Sequence, residues 1–461
     1  MAESSSSKKM MGFGSTPQSQ GKSFWKRGGG GRLPAPGSVK PVFGAQHPPL
    51  NAPIDAVSSP AATSKQSVSV SPTKSTASRT FSLGVESRTD SSRTRSASYD
   101  ETVPAAGPTP ASLRDDSVST PSASTPKLPV LSEREALRLQ KFVRLIEGTP
   151  QTPLEELNKI SWSGIPYPIR HTVWKLLSGY LPANVERRQA TLERKRNEYR
   201  SFVKQYYHTR LQDQHQQTFH QITIDIPRMN PTSLFQQTIA QECFERLLYI
   251  WAMRHPASSY VQGMNDLATP FFVIFLGAYL DPAEAQDAQT ADLSKMSKDA
   301  IAEAEADTYW CLTKLMDGIQ DNYTFAQPGI QVKVHKLKEL VKRIDAPLFQ
   351  HLEDNNITFL EFTFRWMNNL LIREVPLQCI IRLWDTYLCE RDGFATFHPY
   401  VCAAFLVNFS KELRAQTDFQ GLMIYLQNLP TSDWDERQMN EILASAFQWK
   451  YSFNDAPNHL G

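Results

Sequence analysis

From about Pro129 to the C-terminus, apolar residues recur three and four positions apart, the spacing that gathers them on one face of an α-helix. Ser132 offers a hydroxyl cap with Glu135 three residues on to reach back to it. Leu139, Phe142, Val143 and Ile146 then follow at i, i+3, i+4 and i+7, and Gly148 stops the run. A second helix start is expected at Thr152-Pro153, with Glu155 at the capping-box position, and a third near Pro168, carrying Ile169, Val173, Trp174 and Leu177 on one side. Residues 184–214 read as one long, charge-laced helix, and 380–388, 400–413 and 437–447 show helical spacing again. Alternating strand-like runs are almost absent. The expectation is an all-α domain of a dozen or more helices over residues 129–461, interrupted at 281–299 by an Ala-, Asp- and Gln-rich surface insertion with no apolar face. Trp162, Trp174, Trp366 and Trp384 fall in apolar patterns and are assigned to the core.

Residues 1–128 differ in kind. Ser, Thr, Pro, Gly and Ala dominate, with too few large apolar residues to offset the entropy of ordering the chain, so a long disordered tail is expected. It holds Ser-Pro and Thr-Pro steps, Ser71 among them, and the basic stretch RTRSAS around Ser96 and Ser98. These three serines are candidate phosphorylation sites, since a flexible Ser beside Arg or Pro fits a kinase groove and its phosphate could recruit an Arg-lined partner; Ser-rich linkers also contain such steps by chance. GKS at 21–23 is no P-loop. Four residues should separate it from the preceding glycine, and six separate it from Gly14.

Charge narrows the partners. The chain carries 49 Lys and Arg against 47 Asp and Glu, of which residues 1–128 hold 15 against 8, so the tail is basic and the remainder mildly acidic. Neither part has the clustered basic face of a nucleic-acid binder, although the tail could lean toward anionic membranes or acidic partners. The five cysteines form no CxxC pair and are odd in number, which fits a reducing cytosol. No signal peptide is read at the start, and the strongest apolar stretch, 270–280, falls below the roughly 18 residues needed to span a bilayer. A soluble, cytoplasmic protein with peripheral membrane contact at most is expected.

No HExxH, GxSxG or paired Cys/His cluster is present, so no metal site is expected, and His208, His215 and His220 are spaced like a solvated segment. Two polar segments do stand out between apolar helices, ITIDIPRMNP at 222–231 and SSYVQGMNDL at 258–267. Taken alone, Asp225 three residues before Arg228 reads as a helix-end ion pair, and Gln262 before Gly263 as a turn residue.

Together they resemble the two signature motifs of the TBC-domain family of Rab GTPase activators, IxxDxxR and YxQG, present as Ile222, Asp225, Arg228 and Tyr260, Gln262, Gly263. GIPYPIRHTVW at 164–174 is similar to the family's opening segment and IIRLWDTYL at 380–388 to its later LWD segment, in the usual order. These landmarks organise residues 155–450. The wording PASSYVQGMNDLATPFF is similar to the subgroup called TBC domain family member 22 and its Golgi-acting yeast relative.

The resemblance implies a GTPase activator that is not itself a GTPase. It binds no cofactor of its own, and GTP and Mg2+ belong to a Rab-family partner. A small GTPase alone turns over at about 10⁻⁴ s⁻¹, because phosphoryl charge is incompletely compensated and the attacking water is poorly held. By resemblance Arg228 supplies the arginine finger and Gln262 the glutamine finger, both in trans, with Asp225, Tyr260, Gly263, Arg170, Asn265 and Asp266 supporting them or touching the GTPase. Asn265, Asp266 and Arg170 are equally readable as ordinary caps and structural polar groups. The alternative is a non-catalytic scaffold that docks a GTPase or adaptor at the Golgi, with the tail recruiting phospho-dependent partners. A pure scaffold has no need of both fingers.

Overall fold

The computed structural model describes residues 132–229, 231–285 and 287–454; the expected tail at 1–128, with Ser71, Ser96 and Ser98, lies outside the described residues. Helix α1 (Glu133–Glu147) begins as its sequence predicts. The Ser132 hydroxyl accepts from the Glu135 amide at 3.3 Å, and the Glu135 carboxylate accepts from the Ser132 amide at 2.9 Å. Helix α2 (Leu154–Ser161) starts where expected but without its capping box. Pro153 is the cap residue, which moves Thr152 one position out of reach, and the Thr152 hydroxyl donates to the Ile146 carbonyl instead. Helix α3 (Tyr167–Leu177) buries Val173 and Trp174.

The long helix expected over 184–214 breaks in two. Helix α4 (Glu186–Tyr206) gives way to a 3-10 turn at Tyr207–Leu211, and α5 (Asp213–Asp225) follows. An aromatic cluster accounts for the break. Tyr207 meets Phe219 and Tyr249 edge-on at 6.4 and 6.1 Å, and the Thr209 hydroxyl lies 2.7 Å from that of Tyr249, so the chain folds back rather than running on into solvent. His215 turns its ring edge to the same Tyr249, and His220 is exposed.

Short α6 (Ser233–Gln236) and α7 (Thr238–Arg254) lead to α8 (Met264–Gly277), in which every residue from Met264 to Leu276 is buried. A helix buried on all sides belongs at the centre of a domain, and α8 lies against α3 and α7. Pro270 cannot donate to the Asp266 carbonyl, and the Thr269 hydroxyl donates to it at 2.7 Å instead.

The insertion at 281–299 has more of an apolar face than expected. It contains α9 (Pro282–Ala285) and two 3-10 turns, and it buries Ala285, Ala288 and Leu293. Gln237 clasps it, donating to the Ala291 carbonyl at 2.7 Å and accepting from the Leu293 amide at 2.8 Å. The irregular spacing of those three residues hides the face from any periodic reading.

Helix α10 (Lys298–Gly318) completes the central layer against α7 and α8 and carries two buried carboxylates. Asp307 bonds Lys175 at 2.6 Å, Arg196 at 2.7 Å and the Tyr180 hydroxyl at 2.7 Å, while Glu305 accepts from Arg246 and Tyr199. Burial pushes Asp307 upward, but Lys175 and Arg196 outweigh it and leave the group below its ordinary 3.8.

The C-terminal half comprises α11 (Pro328–Ile344), α12 (Ala346–Asp354), α13 (Phe359–Asn369), α14 (Leu377–Cys389), α15 (His398–Val407), α16 (Ser410–Arg414), α17 (Phe419–Gln427) and α18 (Glu436–Asn454). The helix expected over 400–413 is therefore two, divided where Phe409 stacks on Trp434 at 5.7 Å. Trp174, Trp366 and Trp384 are fully buried, whereas Trp162 is half-buried and donates to Glu390. No strand occurs among the described residues. None of the described helices is long and apolar enough to cross a membrane.

Candidate functional site

The arginine segment is set by its apolar neighbours. Ile222, Ile226 and Met229 are buried at the end of α5 and in the 3-10 turn Ile226–Arg228, and this turns Asp225 inward and Arg228 outward. Asp225 is 2% exposed, while the Arg228 side chain is 63% exposed with its Nη1 4.0 Å from Asp225 Oδ1. The glutamine segment links α7 to α8. Tyr260 and Val261 are buried, Gln262 is half-buried, and Gly263 caps α8 with φ +105°.

The two segments meet at Asp225. Its Oδ2 accepts from the Tyr260 hydroxyl at 3.0 Å and from Gln221 Nε2 at 3.1 Å, and its Oδ1 accepts from Gln262 Nε2 at 3.3 Å. Asn265 donates to the Asp225 backbone carbonyl at 3.3 Å and accepts from the Gly263 amide at 3.2 Å, tying both backbones together. Burial, reinforced by Asp225, holds the Tyr260 phenol well above its ordinary value, so it stays a donor. One buried anion thus organises an exposed guanidinium and a half-buried carboxamide.

Asp266 sits one layer deeper. It accepts from Asn369 and, at 2.6 Å, from Arg373 Nε, yet burial still pushes its carboxyl above the ordinary range. Asn368 donates to the Gln262 backbone carbonyl at 3.0 Å. Gln221, Asn368, Asn369 and Arg373 went unread in the sequence. The adjacent amide pair inside the apolar run FTFRWMNNLLIRE is the signal that marks Asn368 and Asn369.

The structure brings Asp225, Arg228, Tyr260, Gln262, Gly263, Asn265 and Asp266 into one network but ties Arg170 elsewhere. Arg170 is buried and pairs with Asp385 at 3.1 Å; the same carboxylate accepts from the Trp174 indole at 2.7 Å and from the Ile165 amide at 2.9 Å. This cluster pins α3 to α14. Among the described residues no group of three or more His, Cys, Asp or Glu side chains is arranged to hold a metal ion. The chemistry on offer at the Asp225 network is hydrogen-bond donation and positive charge, suited to an anionic oxygen.

Comparison with known proteins places this geometry in a family. Residues 167–414 match the Rab-GTPase-TBC domain. TBC1 domain family member 22A of Homo sapiens is 58% identical over 340 residues, covering 74% of this chain and 65% of that protein. GTPase-activating protein GYP1 of Saccharomyces cerevisiae is 41% identical over 387 residues, covering 70% of this chain and 60% of that protein. The crystal structure of the Ypt/Rab-GAP domain of Gyp1p superposes with a TM-score of 0.66 at 47% identity, covering 69% of this chain and 99% of that domain. This chain spans 65% of the length of its human 22A relative. Both signature segments, at Asp225–Arg228 and Tyr260–Gly263, fall within the matched residues, and the chain belongs to the Rab-GTPase-TBC domain family.

Proposed function

We propose that this chain accelerates GTP hydrolysis on a Rab-family GTPase, with Arg228 and Gln262 entering the partner's site and with GTP and Mg2+ brought by the partner. The observation that carries the reading is the convergence of the Arg228 guanidinium and the Gln262 carboxamide on one carboxylate oxygen, with the guanidinium largely in solvent. Arg228 would offer fixed N–H donors and permanent charge to the phosphoryl oxygens, an effect of about 10³ to 10⁵ in rate where an arginine is supplied in trans. Gln262 would orient the water, since an amide both accepts and donates. Asp225 keeps the two side chains side by side before docking. The names of the GYP1 relatives and of the Gyp1p domain structure point the same way. On the resemblance of the member-22 subgroup, the reading includes peripheral action at Golgi membranes.

The test is single-turnover hydrolysis by a panel of GTP-loaded Rab proteins with the full chain and its Arg228→Ala and Gln262→Ala variants, each confirmed folded. Acceleration on a few Rabs that collapses about a hundredfold or more in each variant supports the reading. Full activity in either variant removes it, and binding without acceleration favours a docking scaffold.

A further inference from the structure

The Gln262 loop is held from outside itself. Ser259 and Gly263, both left-handed at φ +50° and +105°, bracket it, and the Gln262 carbonyl is held by a side chain from the end of α13, more than a hundred residues away. Asn368 Nδ2 donates to the Gln262 carbonyl at 3.0 Å and to Asn369 Oδ1 at 3.1 Å. Its own Oδ1 is buried without a partner. The amide is therefore oriented by donation alone, since the flipped form would set its oxygen against two others.

The end of α13 is a rigid platform. The Tyr323 hydroxyl donates to the Asn368 carbonyl at 2.6 Å, and Asn322 donates to that of Met367 at 3.4 Å. Leu370 and Leu371 follow, both fully buried and both left-handed at φ +51° and +64°, a strained turn that brings Arg373 back to Asp266. The loop lies so close that a Cβ on Gly263 would collide with Asn368 Nδ2.

We infer that Asn368 is a positioning residue for the Gln262 finger: its amide fixes the loop backbone from which the carboxamide is presented, while Asn369 and Arg373 anchor the following turn through Asp266. The inference rests on the activator reading. A displacement of about 1 Å in a positioned group can cost a hundredfold in rate, so one hydrogen bond to this carbonyl is enough to matter.

The experiment uses the full chain and a responsive GTP-loaded Rab, comparing Asn368→Ala, Gln262→Ala and the double variant. Asn368→Ala is expected to lower kcat about tenfold to a hundredfold with KM within about twofold, and to add nothing in the Gln262→Ala background. Retained kcat, or the same loss added on top of Gln262→Ala, overturns the inference and leaves the activator reading standing. Full activity of Gln262→Ala overturns both. Should the alanine variant fail to fold, Asn368→Leu, which keeps the side-chain volume without a donor, carries the same cycle.

Discussion

Arg228 Nη1 and Gln262 Nε2 approach the same atom, Oδ1 of Asp225, at 4.0 and 3.3 Å. Neither contact is tight, and the carboxylate keeps Tyr260 and Gln221 on its other oxygen when both donors leave. On the proposed function, a partner's phosphate would take both side chains while Asp225 keeps two hydrogen-bond donors. Asp225→Asn keeps the shape but turns one acceptor into a donor. It is expected to cost about 1–3 kcal/mol in stability and at least about tenfold in single-turnover rate, read by urea unfolding beside the hydrolysis assay.

Arg228→Lys separates charge from geometry. Lysine keeps the charge but loses the planar fork, so it is expected to fall nearly as far as Arg228→Ala, by about 10³. Because the side chain is exposed, both variants should melt with the parent, within about 0.5 kcal/mol. A lysine variant at parental rate would show that charge alone suffices.

Two glycines separate strain from collision. Gly179 has φ +71° and open space around it, with no atom within 4 Å of where a Cβ would stand, and Gly179→Ala should cost only the left-handed penalty of about 1–2 kcal/mol. Gly263→Ala adds a collision with Asn368 and should cost more, with a fall in hydrolysis rate that Gly179→Ala does not share. Equal losses in a denaturant titration would contradict the close approach.

Arg170 is expected to act on stability rather than rate. Arg170→Ala leaves the buried Asp385 carboxylate without its guanidinium and should cost about 3–5 kcal/mol, while the folded fraction stimulates a responsive Rab at the parental rate well below its melting temperature. A rate loss in folded protein would return Arg170 to the finger network.

The Asp307 cluster predicts the acid limb of the stability curve. Its folded value lies below the unfolded 3.8, so its contribution is fully present above that pH and is lost as pH falls through the folded value. Asp307→Asn should flatten the profile in that window and leave the buried Lys175 uncompensated at neutral pH, at about 3–5 kcal/mol. Unchanged acid unfolding would rule out this carboxylate as the source.

Helix class and the first cap at Ser132 were legible along the chain, because capping and periodicity depend on neighbours within a few positions, whereas Asp225, Arg228, Tyr260 and Gln262 stood out only through their resemblance to the two TBC motifs. Tertiary structure decided what those neighbours could not. It broke the predicted helix at Tyr207 to close an aromatic cluster, gave the 281–299 insertion a buried face, moved Arg170 onto Asp385, and set Asn368, Asn369 and Arg373 beneath the glutamine loop. Hydrogen-bond partners 103 to 107 residues apart are chosen by which helices pack together, and a local pattern carries no record of that choice.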